Sequence, residues 1–119
     1  MFISMYIFRV PRQHTSRFIE ITNKLKPAIC SYECTPYLFE EDALTGKQGS
    51  LGLLNLFDPQ DEEVVYLGKI EYKSKDHFHE AIEQMKQDDK ITQLYEQLRE
   101  VVDFTSVVTS TFQDAESET

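Results

Sequence analysis

The chain has 119 residues, 40% of them apolar and 28% charged, with a formal charge of −9. That length and balance describe one small soluble domain and exclude a long disordered or fibrous chain. The charge also argues against nucleic acid as a partner, because affinity for the phosphate backbone needs a basic surface.

The charge is uneven. Residues 1–32 carry a net +4, and the remainder carries −13. The basic third could attract a small anion or an acidic face, but the plainer expectation is a solvated helix surface.

The opening "MFISMYIF" is too short to cross a bilayer and lacks a basic leader and a small-residue cleavage site. We therefore expect a cytoplasmic location and no membrane association. Residues 2–10, "FISMYIFRV", are dense in β-branched and aromatic residues and read as a strand that Pro11 stops. One face is Ile3, Met5 and Ile7; the other is Phe2, Ser4, Tyr6 and Phe8.

Residues 14–29 place Phe18, Ile21, Leu25 and Ile29 at helical spacing, with Thr15 or Ser16 as a cap and Pro27 near the end. Cys30 and Cys34 follow in "CSYEC". Their spacing is not the Cys-x-x-Cys of redox and zinc motifs, and two thiolates do not complete a zinc shell. They read as reduced structural thiols.

"PYLFEED" (36–42) reads as a weak strand, "SLGLLNLF" (50–57) as a second and "EVVYLGKIEY" (63–72) as the clearest of all, with "DPQDE" as a hairpin turn between the last two. Gly68 marks a place of close approach. Ser74 starts a helix with the stripe Phe78, Ala81, Ile82 and Met85. "QDDK" interrupts it, and a further helix runs through Ile91, Leu94, Tyr95 and Leu98. "FTSVVTSTF" (104–112) closes as a strand. We expect one domain over 1–112 and an acidic flexible tail over 113–119.

The order β-α-β-β-β-α-α-β implies an α+β fold, an antiparallel sheet with its helices on one face. Strands apolar on both sides need cover for the second face. A second copy of the chain, packed sheet to sheet as a homodimer, would provide it.

Val10-Pro11, Pro27, Ile70-Glu71-Tyr72 and Ser74-Lys75 carry a resemblance. With the ferredoxin-like element order, the chain resembles the dimeric α+β barrel superfamily, and within it a bacterial family of unknown function. It departs from that family in having no Trp and in reading "LFEED" where a Glu-Cys-Trp is usual. The resemblance implies a ligand cavity against the sheet. It also implies either a cofactor-independent monooxygenase or isomerase acting on a small apolar or aromatic metabolite, or a non-catalytic structural or metabolite-sensing dimer.

"DHFHEA" suggests a metal site at first sight. On a helix, however, residues two apart diverge by about 200°, so His77 and His79 cannot share an ion. No metal is expected. With glycine only at 46, 49, 52 and 68 there is no phosphate-cradling loop, and no cofactor is expected. Candidates for ligand contact are polar residues on apolar elements: Tyr6, Asn55, Lys69, Glu71 and His79. Asn55 interrupts a leucine run, where a buried amide needs a partner. Lys69 and Glu71 share a strand face as either an ion pair or an acid–base pair. His79 stands beside an apolar stripe.

Overall fold

A computed structural model describes residues 1–56 and 62–115. The elements are β1 (Phe2–Pro11), α1 (Thr15–Cys30), β2 (Thr35–Glu40), β3 (Glu63–Tyr72), α2 (Lys75–Lys86), α3 (Asp89–Arg99) and β4 (Val108–Gln113). The four strands form one sheet in the order β2-β3-β1-β4, every neighbouring pair antiparallel. This is the expected α+β, ferredoxin-like arrangement, with the second crossover split into two helices. No helix among the described residues is long and apolar enough to cross a membrane.

Alternation sorts each strand. On β1 and β3, Phe2, Val10, Val64, Tyr66, Ile70 and Tyr72 face the helices and join the core. From above, Phe18, Ile21, Leu25 and Ile29 of α1 pack down, with Ala81 and Met85 of α2 and Ile91, Leu94 and Leu98 of α3. Phe18 is the centre: its ring lies 5.3 Å from Phe8 and 4.8 Å from Tyr66.

The opposite sheet face has no helix on it. Leu67, Phe39, Val108 and Phe112 stay exposed there, aligned with Ile3 and Ile7 through the β1 and β3 register.

Local chemistry sets most helix ends. Ser74 caps α2 by accepting the backbone N–H of His77, and Asp88 caps α3 by accepting that of Ile91. At α1 neither Thr15 nor Ser16 is the cap. A single 3-10 turn over Arg12–His14 leads into the helix, and Thr15 Oγ1 donates back to the Arg12 carbonyl. Pro27 sits inside the last turn, three residues before the helix ends.

Among the described residues of the expected strand at 50–57, none forms a strand. Leu53–Asn55 is a 3-10 turn, and Leu51, Leu54 and Leu56 are exposed. The leucine run has no alternation to seat on a sheet, and Gly52 closes against the backbone of Leu44–Gly46, where a Cβ would collide. Phe57 and nearly all of the expected "DPQDE" turn lie outside the described residues. At the far end, Phe104–Ser106 is also a 3-10 turn, so β4 begins later than expected, at Val108. Gln113 belongs to β4, and Asp114 accepts from the Met1 amino group at 2.7 Å; residues 116–119 of the expected tail are outside the described residues.

Candidate functional site

A cavity of about 350 Å³ lies between the helix side of the sheet and helices α1 and α3. Its floor comes from Tyr6 and Phe8 of β1, Gly68 and Ile70 of β3, Leu38 of β2 and Thr109 of β4. Thr22, Leu25, Lys26 and Ile29 of α1 form one wall, and Tyr95 and Leu98 of α3 another. Phe104 and Val107 close the β4 end.

Gly68 creates part of this space. It pairs with Tyr6 across β1 and β3. A Cβ built on it would stand 3.1 Å from the Phe8 ring and 3.7 Å from Tyr6 Cβ. Any larger side chain there would enter the cavity, so the close approach expected at this position is to side chains of β1 rather than to a helix.

The walls are mainly apolar, with a few hydroxyl-bearing residues and Lys26 of α1 among them. Tyr95 keeps over a third of its surface accessible, because it borders both this cavity and an outer groove with Glu96 and Arg99. Its hydroxyl is nonetheless crowded by protein. That burial first, and the Tyr6 hydroxyl second, push its pKa up to about 12. Tyr95 is thus a neutral hydrogen-bond donor at any physiological pH.

Deeper in the same layer, Ser4 and Tyr72 are buried, and no hydrogen bond of good geometry reaches either hydroxyl among the described residues. Burial raises the Tyr72 pKa, and the nearby Ser4 hydroxyl acts weakly against the rise. The two hydroxyls are neighbours, but their geometry falls short of a bond. Cys34 is also buried and donates to the Tyr32 carbonyl at 3.4 Å; burial pushes its thiol up to about 11, making it unreactive.

The structure does not bring the five sequence candidates together. Tyr6 lines the cavity. Lys69 borders it along β3, but alternation sends its side chain to the open face. There its Nζ lies 3.1 Å from Glu71 and 4.6 Å from the Tyr37 ring centroid. Glu71 shares that face and accepts from the Tyr37 hydroxyl at 3.5 Å. Asn55 is exposed, and its Oδ1 accepts the Gly52 N–H at 2.9 Å, so the amide serves its own turn. His79 is exposed beside Phe78, their rings 5.3 Å apart.

Sequence reasoning missed Lys26, Thr22 and Tyr95. Thr22 and Lys26 stand one turn apart beside the buried Leu25 and Ile29, and that spacing was the available signal. Among the described residues no three His, Cys, Asp or Glu side chains gather as a metal site.

A family model described as a protein of unknown function, DUF1428, matches residues 1–105. No match is found among curated proteins. Several solved structures are similar in fold. One is a NIPSNAP domain protein from Burkholderia xenovorans, 14% identical, with a TM-score of 0.57 and coverage of 98% of this chain and 97% of that one. Another is SnoaB, a cofactor-independent oxygenase from Streptomyces nogalater, 9% identical, TM-score 0.58, covering 98% and 96%. A protein from Arabidopsis thaliana is 8% identical, TM-score 0.61, covering 98% and 99%. At these identities the likeness is one of fold.

Proposed function

The chain belongs to the DUF1428 family of unknown function, and we propose that it is a homodimeric small-molecule-binding protein whose ligand sits between sheet and helices. The observation that carries this reading is the cavity itself. Its volume of about 350 Å³, its apolar walls and the few hydroxyl-bearing residues in its lining, Tyr6, Tyr95 and Thr109 among them, fit the usual make-up of a small-ligand site. The dimer rests on the open sheet face, where exposed Leu67, Phe39, Val108 and Phe112 would be covered by the same face of a second copy.

Among the described residues the cavity lining includes no carboxylate and no imidazole, which favours binding over general-base catalysis. A second reading has one observation behind it: a neutral Tyr95 hydroxyl beside Tyr6 could donate to a developing oxyanion, as a cofactor-independent oxygenase or isomerase requires.

The test is a thermal-shift and native mass-spectrometry screen of the purified protein against small aliphatic and aromatic molecules. Binding in the unaltered protein and its loss in Gly68→Val, with the fold retained, is the expected result. Binding undiminished in Gly68→Val would place the ligand elsewhere. Oxygen uptake or product formation that Tyr95→Phe removes would favour the second reading.

A further inference from the structure

The cavity's charge runs against that of the chain. The protein carries −9 overall, yet among the described residues the cavity lining includes no Asp or Glu. It does include two lysines. The ammonium of one, Lys69, is on the other side of the sheet and held by Glu71. The other, Lys26, is half-buried on α1 and makes no ion pair with any described residue; Lys24, Lys47, Lys75 and Lys90 make none either, but of these five only Lys26 lines the cavity.

Lys26 lies one turn beyond Thr22, and both line the cavity together with the buried Leu25 and Ile29. The Thr22 hydroxyl donates to the Ile19 carbonyl at 3.0 Å, so this helical face offers a ligand one cation beside an apolar wall. A lysine stem packs along such a wall while its head stays at the rim. An ammonium partly withdrawn from water gains from an anionic partner, and a charge-assisted hydrogen bond is stronger than a neutral one. The number of cations limits the ligand's charge. A dianion would leave one charge without a partner against apolar walls, which is costly.

We infer that the cavity takes amphipathic monocarboxylates, with the apolar body over Gly68, Ile70 and Leu98 and the carboxylate at Lys26. This rests on the cavity being a ligand site, as proposed above, and deepens it by naming the ligand class.

Octanoate and 1-octanol have the same chain length and differ in charge at neutral pH. Calorimetric titration of the full chain with each reads the carboxylate's contribution directly. Octanoate should bind at least about fivefold more tightly. Lys26→Gln should bring the two to parity without changing the melting temperature, and Lys69→Gln should keep the preference. Equal affinities in the unaltered protein would overturn the carboxylate assignment and leave the binding cavity standing. A preference that survives Lys26→Gln would also overturn it. If neither molecule binds, the assignment and the ligand-site reading fail together.

Discussion

Tyr32 and His77 are joined by a 3.0 Å hydrogen bond from His77 Nε2 to the Tyr32 carbonyl oxygen. The direction follows from the other ring nitrogen. Nδ1 lies 3.0 Å from the Lys73 backbone N–H, which can only donate, so Nδ1 accepts and Nε2 carries the proton. The Tyr32 hydroxyl in turn donates to Asp88 Oδ2 at 2.5 Å. One residue in the turn after α1 therefore ties down the start of α2 and the start of α3.

His77→Ala breaks both ring bonds at that junction. We expect it to lower stability by about 1–2 kcal/mol, read by urea denaturation. An unchanged midpoint would mean that the junction is held by packing alone.

The Tyr32–Asp88 bond makes stability depend on pH at both ends. The Tyr32 hydroxyl, helped by the Ile91 N–H, holds the Asp88 carboxyl below its ordinary range. Its contribution is complete above the ordinary carboxyl range and is lost as pH falls through the lower folded value. Tyr32 is shifted upward, chiefly by Asp88, so its contribution is complete below the ordinary tyrosine range and is lost as pH rises through the higher folded value. Melting curves across acid and alkaline pH should show both limbs. Tyr32→Phe should make both limbs shallower without removing them, since Cys34, Tyr72 and Tyr95 also feed the alkaline limb and Glu20, Glu33 and Asp103 the acid one; limbs that persist unchanged would assign the pH dependence to those groups alone.

Tyr72 presents the opposite case, a hydroxyl enclosed without a good partner. Removing such a group is neutral or favourable, because its desolvation is no longer opposed to folding. Tyr72→Phe is expected to raise stability by up to about 1 kcal/mol in the same denaturation experiment. A loss of that size would show that Ser4 or an enclosed water does satisfy it.

The open sheet face predicts assembly. Leu67→Asp places a charge on a face that a partner copy would desolvate, so sedimentation should show a dimer becoming a monomer with its melting temperature little changed. Leu67 is already 38% exposed in the single chain, so the fold itself has little to lose. A dimer that survives this change would point to a different interface. Tyr6 is unsuitable for this purpose, since it faces the helices.

Much of the fold was legible because local chemistry and tertiary need agreed. The β-branched and aromatic density of β1 and β3, the Ser74 cap and the stripe from Phe78 to Met85 all specify what forms. They diverged at residues 50–57. There hydrophobicity suggested a strand, while Gly52 and Asn55 carried turn chemistry that won locally. Asn55 then passed for a buried amide only because the run around it was read as a strand. Tyr6 could be found, since it is a polar tip on an apolar strand. Lys26 was signalled only by its place one turn from Thr22 beside Leu25 and Ile29, and Tyr95 not at all, because its place at the cavity depends on how α3 docks beside α1 above the sheet. His77 was read against its near neighbours, whereas its partner Tyr32 lies 45 residues away.

Gly68 leaves the chamber's capacity to a single codon. Its neighbours on β3, Leu67 and Lys69, point to the other face, so exchanging residue 68 alters the bore and little else. Lineages could thereby adjust which molecules fit by stepping from glycine to alanine, a step open wherever the Phe8 ring can give by a few tenths of an ångström. Selectivity could then diversify among sheets whose hydrogen-bonded frames stay the same.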